Sequence, residues 1–116
     1  MSITPALATL SDVATLAHTK IQQTCEHLNP VIGVNRGMRA QGIPADAMTI
    51  DCLVTGKRII LILHDQHPDI VRYQFSYKDQ DPSDVFDVIA LSELTTTTLY
   101  DWIKNYFSVA APDCNS

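Results

Sequence analysis

The sequence has neither a long apolar run nor a secretory signal. Its longest apolar run, Ile59–Leu63, has five residues, whereas a helix that spans a bilayer needs ~20. The first residues, Met1–Pro5, carry no basic segment ahead of an apolar one. We therefore expect a cytoplasmic protein that does not interact with membranes.

Cysteine is also scarce. The three cysteines, Cys25, Cys52 and Cys114, have no CxxC spacing. Because stable disulfides are rare in the cytoplasm, we expect three reduced thiols. Their sequence neighbours include no basic residue that would activate a thiol.

Basic residues are few, with eight lysines and arginines against 13 aspartates and glutamates. Residues 1–60 hold five basic and four acidic side chains, whereas residues 61–116 hold three basic and nine acidic ones. This acidity disfavours nucleic acid as a partner, since nucleic-acid binding depends on Lys and Arg neutralising phosphates. A basic protein partner or a metal ion fits the charge better.

Catalytic motifs are missing as well. The sequence contains no G-x-S-x-G, no glycine-rich phosphate loop after a strand, and no cysteine with an evident histidine partner. We therefore expect no cofactor, and a binding or assembly module is favoured over an enzyme.

What the sequence does contain is a hairpin-rich central stretch, Thr49–Tyr77, dominated by Val, Ile and aromatic residues. Gly56 suits the first central position of a two-residue type II′ turn. That turn predicts one apolar face from three cross-strand pairs: Val54 with Ile59, Cys52 with Leu61, and Ile50 with Leu63. A three-residue loop would mix the two faces instead. If His64 opposes Ile70 across the second turn, then Val71, Tyr73 and Phe75 join the same face.

Helices are predicted on both sides of this stretch. An amphipathic helix is expected to start at Ser11, with a start near Pro5 as the alternative, and to end near Leu28. A second helix, Pro30–Gln41, is expected to end at Gly42, although Gly33 and Gly37 each disfavour it by ~1 kcal/mol. The clearest helix begins at Thr95 or Thr96, and its apolar stripe is Leu99, Trp102, Ile103, Tyr106 and Phe107. We expect Trp102 to be largely buried.

A further strand is predicted at Val85–Leu91, at a sheet edge because of the charge on Asp87. The predicted fold is thus α+β, in two layers and a single domain. It has an antiparallel meander of three or four strands, two N-terminal helices and one C-terminal helix. Residues 5–108 would form the ordered core and residues 109–116 a flexible tail.

Two sets of residues are candidates for ligand binding. His64, His67 and Asp69 could hold a divalent metal, but the spacing matches no established motif and an exposed turn has the same composition. Arg36 and Arg39 could bind a carboxylate or phosphate. The alternative is close helix packing at Gly33 and Gly37, with the arginines in solvent.

The second face of the sheet is a candidate interface. Leu53, Ile60, Ile62 and Ile70 would form an apolar stripe flanked by Arg58, Arg72 and Gln74. Apolar patches with a polar rim commonly mark protein interfaces, and two-fold homodimers are the commonest soluble assembly. We therefore expect a homodimer with Ile60 and Ile62 at its centre. The alternative is that the N-terminal helices cover this stripe within one chain.

Overall fold

The computed structural model describes residues 5–24, 30–52, 55–77 and 85–107. These residues form α1 (Pro5–Thr24), β1 (Val31–Asn35), α2 (Gly37–Ala40), β2 (Ala45–Asp51), β3 (Lys57–His64), β4 (His67–Tyr77), β5 (Asp87–Ala90), a 3-10 helix (Leu91–Glu93) and α3 (Thr96–Phe107). The α+β prediction is confirmed. The strand count was too low, since the described sheet has five strands.

The sheet is an antiparallel meander in which each strand pairs with the next one along the chain. Strands β1 and β5 are therefore its two edges. We call the side that packs on α1 and α3 the inner face; its residues include Met48, Ile50, Ile59, Leu61, Val71 and Tyr73. Side chains alternate along a strand, so the outer face carries Ala47, Thr49, Asp51, Arg58, Ile60, Ile62, Ile70, Arg72, Gln74 and Val88.

Helix α1 begins at Pro5, so the start predicted at Ser11 is wrong and the earlier alternative is confirmed. The physical reason is a buried stripe with alternating steps of three and four residues: Leu7, Leu10, Ala14, Ala17 and Ile21. Proline is well suited to the first position of a helix, where its missing N–H has no intrahelical acceptor. The predicted end, near Leu28, lies outside the described residues.

The predicted helix Pro30–Gln41 is wrong over its first half, which is strand β1. Three of the five residues of β1 are Val or Ile, and these favour strands. Gly33 weakens a helix, whereas β2 offers a full set of backbone partners along the strand. Non-local pairing therefore overrides the local helical spacing.

The end of that segment follows the prediction more closely. After the single turn of α2, Gly42 has φ of 88°. Its N–H donates to the Arg39 carbonyl at 3.1 Å, and the Ile43 N–H donates to the Met38 carbonyl at 2.8 Å. These two bonds define a Schellman motif closed by a left-handed glycine. The predicted helix end at Gly42 is confirmed.

The register of the β2–β3 hairpin differs from the prediction. Ile50 pairs with Ile59 rather than with Leu63, and the Gly56 N–H donates to the Cys52 carbonyl across a longer loop. Gly56 does adopt positive φ, at 75°. The faces are unchanged because the shift moves the pairing by an even number of residues. Cys52 and Leu63 therefore still lie in the core, while Val54 lies outside the described residues.

The β3–β4 pairing matches the prediction over most of its length. Tyr73 pairs with Leu61 and Phe75 with Ile59, as expected. Near the turn the prediction fails, since His64 pairs with His67 rather than with Ile70. A register shift between Ile62 and His64 accounts for the difference, and such bulges are common where a strand approaches a turn.

Helix α3 is close to its prediction. Thr95 is its N-cap, because its hydroxyl accepts a hydrogen bond from the Thr98 N–H at 3.2 Å. Trp102, however, is only partly buried, so the expectation of a largely buried indole is wrong. Its ring lies 4.5 Å from the Tyr73 ring and 5.5 Å from the Phe75 ring, measured between centroids. The indole thus packs at the margin of the core.

Strand β5 occupies the edge position predicted from Asp87. Asp87 pairs with Tyr73, so its carboxylate points to the inner face. A charge on that face of a short edge strand disfavours the addition of another strand.

Candidate functional site

The outer face of the sheet carries no helix among the described residues. The apolar stripes of α1 and α3 both lie in the core on the inner face, and α2 buries no residue. The alternative in which α1 covers the outer face is therefore contradicted. The described part of the chain therefore provides no covering helix for this face.

Three of the predicted interface isoleucines lie on this face, and Leu53 lies outside the described residues. Ile62 and Ile70 are half-buried. Ile60 is only 8% exposed and does not belong to the core cluster, so other parts of the chain already cover it. A side chain with so little exposed area has little left to bury in a complex. The predicted centre of the interface therefore moves from Ile60 towards Ile62.

Arg72 lies in the middle of an apolar row that crosses three strands. It pairs with Ile62 on β3 and with Val88 on β5, and Val88 is 55% exposed. Arg72 is itself exposed. Every other lysine or arginine in the described ranges has an ion pair, a hydrogen bond or an aromatic ring as partner, whereas Arg72 has none of these.

Asp51 and Arg58 form a cross-strand ion pair on the same face. Arg58 Nε donates to Asp51 Oδ1 at 2.6 Å and Arg58 Nη2 donates to Oδ2 at 3.0 Å. The hydrogen bonds to Asp51 raise the pKa of Arg58. Because the geometry is bidentate, the pair neutralises itself and leaves Arg72 as the net charge among the described residues of the outer face.

The predicted anion-binding arginines do come together, but internal carboxylates already occupy them. Arg39 Nε and Nη2 donate to the two oxygens of Asp46 at 2.8 and 3.0 Å. Its Nη1 and Nη2 donate to Asp65 at 2.9 and 2.5 Å. Arg36 Nε donates to Asp46 at 3.0 Å. We call these four side chains the Arg–Asp cluster.

The cluster changes the ionisation of its members. Hydrogen bonds from Arg39 are the main cause that lowers the pKa of Asp46, and Arg36 adds to the effect. The same guanidinium lowers the pKa of Asp65, and the two carboxylates raise the pKa of Arg39. These shifts favour the charged forms of Asp46, Asp65 and Arg39 near neutral pH. The cluster joins the α2 turn, β2 and the β3–β4 turn, which is a structural role.

The predicted metal ligands are only partly assembled. His64 and His67 form a cross-strand pair with ring centroids 6.0 Å apart. His64 Nδ1 accepts a hydrogen bond from the Gln66 N–H at 3.2 Å. No group of three His, Cys, Asp or Glu side chains with metal-binding geometry occurs among the described residues. Asp69 therefore does not complete a site with this pair.

An apolar cavity of about 430 Å³ lies beside this turn. Its lining residues are Pro5, Ala6, Leu63, His64, Asp65 and Pro68. Both polar members already make hydrogen bonds within the chain, His64 to Gln66 and Asp65 to Arg39. Binding sites for small molecules usually combine an apolar wall with a few convergent polar groups. This cavity has the apolar wall, but its two polar lining residues are already engaged by other groups of the chain.

Comparisons with protein-family models, with curated proteins and with solved structures found no match to this chain. The described helices include none that is long and apolar enough to cross a bilayer. The function must therefore be argued from the surfaces themselves.

Sequence reasoning missed two features of these surfaces. Val88 was placed in a strand, but its position beside Arg72 depends on the β4–β5 register. Asp46 was not singled out, although an aspartate seven residues from one arginine and ten from the other was the available signal. Both features depend on the register between strands, which alternation within one strand does not reveal.

Proposed function

We propose that this chain is a non-enzymatic assembly module that forms a homodimer by packing two outer faces together. The row Ile62–Arg72–Val88 is the observation that carries the proposal. It places two partly exposed apolar side chains around the one arginine without a partner in the described part of the chain. Arginine among apolar residues is typical of interface centres, where it is often an energetic hot spot.

The size of the face supports a stable contact. Five strands at ~4.8 Å spacing give a width of ~24 Å, and strands of about seven residues give a similar length. The footprint is then ~550 Å² before the relief of side chains is added, roughly two thirds of the ~800 Å² per partner of standard interfaces. Two sheets packed face to face, ~10 Å apart, are also an established arrangement.

In a two-fold symmetric dimer, the row Ile62–Arg72–Val88 of each copy takes part in the contact. Ile62 and Val88 of one copy then contact apolar residues of the other, such as Ala47 and Ile70. The outer face also offers the Thr49 hydroxyl and the Asp51 carboxylate as acceptors for the Arg72 of a second copy. An isologous contact of this kind closes after two chains.

Val88→Glu is the sharpest test, because Val88 is exposed enough for the monomer to tolerate the change. At high micromolar concentration we expect the wild-type chain to have the mass of a dimer or a larger assembly by light scattering. Val88→Glu should lose this contact while its circular dichroism stays native, since it replaces an apolar side chain with a carboxylate that must lose its hydration in the contact and that engages the Arg72 of its own chain. Ile62→Glu should do the same, and Arg72→Ala should weaken the dimer.

Leu16→Glu is the matched control. Leu16 is 58% exposed and lies on α1, away from the outer face, so this variant should keep the wild-type mass. A wild-type chain that is monomeric at high micromolar concentration would contradict the proposal. So would a folded Val88→Glu variant with unchanged mass. If Ile62→Glu misfolds, the mass of the Val88→Glu variant alone tests the proposal.

A further inference from the structure

The two edges of the sheet are protected to different degrees. Edge strands normally carry a charge, a proline or a bulge that prevents another strand from pairing with them. Strand β5 has the inward-facing Asp87. Strand β1 has the sequence Val-Ile-Gly-Val-Asn, with no charge and no proline, and it pairs regularly with β2 along its full length. Its Val31 and Val34 are each 46% exposed.

The two edges also differ in charge: the β1 side is neutral, whereas the β5 side is acidic. Residues 30–52 contain two acidic and two basic side chains, and both carboxylates, Asp46 and Asp51, are in ion pairs. The exposed carboxylates of Asp87 and Asp101 lie instead on β5 and α3. In a chain of net charge −5, contact through β1 brings two neutral ends together. It also keeps the acidic ends far apart, which lowers the repulsion between copies.

We infer that β1 pairs antiparallel with β1 of a second copy, around a two-fold axis at Gly33. This register places Ile32 opposite Val34 of the other copy and Val31 opposite Asn35, so all five residues pair. In this register the two residues of each pair are both odd-numbered or both even-numbered. Their side chains therefore lie on the same face, and the inner faces of the two copies are continuous. The result is a continuous sheet of ten strands with the helices of both copies on one side.

The absence of charge is what makes a second copy the expected occupant. Like charges directly opposite each other destabilise a strand pair, and β1 presents none to its own symmetry mate. The pairing buries the aliphatic side chains of Ile32 and Val34 against one another on the inner face.

This contact is distinct from the outer-face contact and is the weaker of the two. A five-residue edge buries less than the ~800 Å² per partner of standard interfaces. We therefore expect edge pairing to appear at higher concentration than face packing. With both contacts formed, each chain contacts two others, so the assembly is larger than a dimer.

A disulfide across the two-fold axis tests the register directly. In antiparallel pairs, Cα atoms of opposite residues lie ~4.5–5.5 Å apart, inside the ~4.4–6.8 Å range that a disulfide requires. A Cβ at Gly33 would meet the Thr49 hydroxyl at 3.6 Å, an ordinary contact, so Gly33→Cys should fold. The background is Cys25→Ser with Cys114→Ser; Cys52 is buried and stays.

After mild oxidation at high micromolar concentration, Gly33→Cys should form a covalent dimer on a non-reducing gel. Val31→Cys is the control on the same strand and face. In the proposed register, its symmetry mate lies four residues away, ~13 Å along the strand. The cross-linked fraction at position 33 should exceed that at position 31 several-fold, and mass spectrometry should identify the bond between the two introduced cysteines.

Repeating the experiment with Val88→Glu added separates this inference from the proposed function. The cross-link should persist, because edge pairing does not use the row that contains Val88. A folded Gly33→Cys variant that stays reduced, or one that cross-links no better than Val31→Cys, overturns the edge pairing. Neither result bears on the outer-face contact, which the mass of the Val88→Glu variant tests separately. A cross-link that persists when the wild type shows no face contact identifies β1 as the sole contact.

Discussion

The Arg–Asp cluster makes a quantitative prediction at Asp46. This carboxylate is 1% exposed and accepts three hydrogen bonds from two guanidinium groups. Asp46→Asn keeps the shape of the side chain but removes its charge. One carboxylate oxygen is replaced by an amide NH2 group, which then faces the N–H donors of the arginines. Hydrogen bonds to charged groups contribute ~1.5–3 kcal/mol each. The arginines are partly exposed, at 24% of their side-chain area, so water will replace part of the loss.

We therefore expect Asp46→Asn to lower the free energy of unfolding by about 2–3 kcal/mol at pH 7. For a chain of this size each kcal/mol shifts Tm by ~4 °C, so thermal denaturation should show a drop of ~8–12 °C. The midpoint of urea denaturation should fall as well, with an unchanged slope if the transition remains two-state.

The effect should depend on pH in a defined direction. The folded chain holds the pKa of Asp46 below its ordinary value, and the unfolded pKa is ~3.9. The stabilisation is therefore complete above pH ~5 and is lost as pH falls through the lower, folded pKa. The difference between wild type and Asp46→Asn should be constant from neutral pH to about pH 5 and should shrink at lower pH.

Asp12→Asn is the matched control, since it removes one acidic charge from the exposed side of α1. It should leave Tm nearly unchanged. A Tm of Asp46→Asn equal to that of Asp12→Asn at pH 7 would contradict a stabilising role of the Asp46 carboxylate. So would a stability difference that persists undiminished at pH 2–3, because the carboxylate would then not be the source of the effect.

Two further substitutions test the packing and the backbone. Trp102→Ala should destabilise by about 2–3 kcal/mol in urea denaturation, less than the ~3–5 kcal/mol typical of buried aromatic residues, because the indole is only partly buried. Trp102→Phe should recover most of that loss, and an equal loss in both variants would contradict a packing role. Gly42→Ala should cost about 1 kcal/mol through its positive φ alone, since no atom lies within 4 Å of the new Cβ. Gly33→Ala, without positive φ, should be close to neutral, so equal effects at the two glycines would refute the strain argument.

Local periodicity predicted the parts of this fold that depend on one segment or on one hairpin. The stripe of α3 repeats every three or four residues, and alternation along β3 and β4 assigned Leu61 and Tyr73 to one face. Strand β1 was missed because its conformation depends on hydrogen bonds to β2, more than ten residues further along the chain. Within the segment alone, the spacing of Val31, Val34 and Met38 matched a helix equally well.

The candidate site shows the same division. That Ile60, Ile62 and Arg72 share a face followed from alternation, because a residue's face depends only on its position in the strand. The small exposure of Ile60 and the occupation of Arg39 by Asp65 did not follow. Exposure depends on the side chains of neighbouring strands, and Asp65 is 26 residues from Arg39 in sequence. Side chains that are distant in sequence decide both properties.

The distribution of paired and unpaired charges limits which surfaces of this acidic chain can meet. Asp46, Asp51 and Asp65 are neutralised by arginines of the same chain, so they add little to the repulsion between copies. The exposed carboxylates of Asp87 and Asp101 have no such partner among the described residues, and a contact made through β5 or α3 would bring them together. The outer face carries a self-neutralised ion pair and one free arginine, and the β1 edge carries no charge. The β1 edge can therefore approach its own copy without a cost from charge, and on the outer face that cost is limited to the Arg72 of each copy.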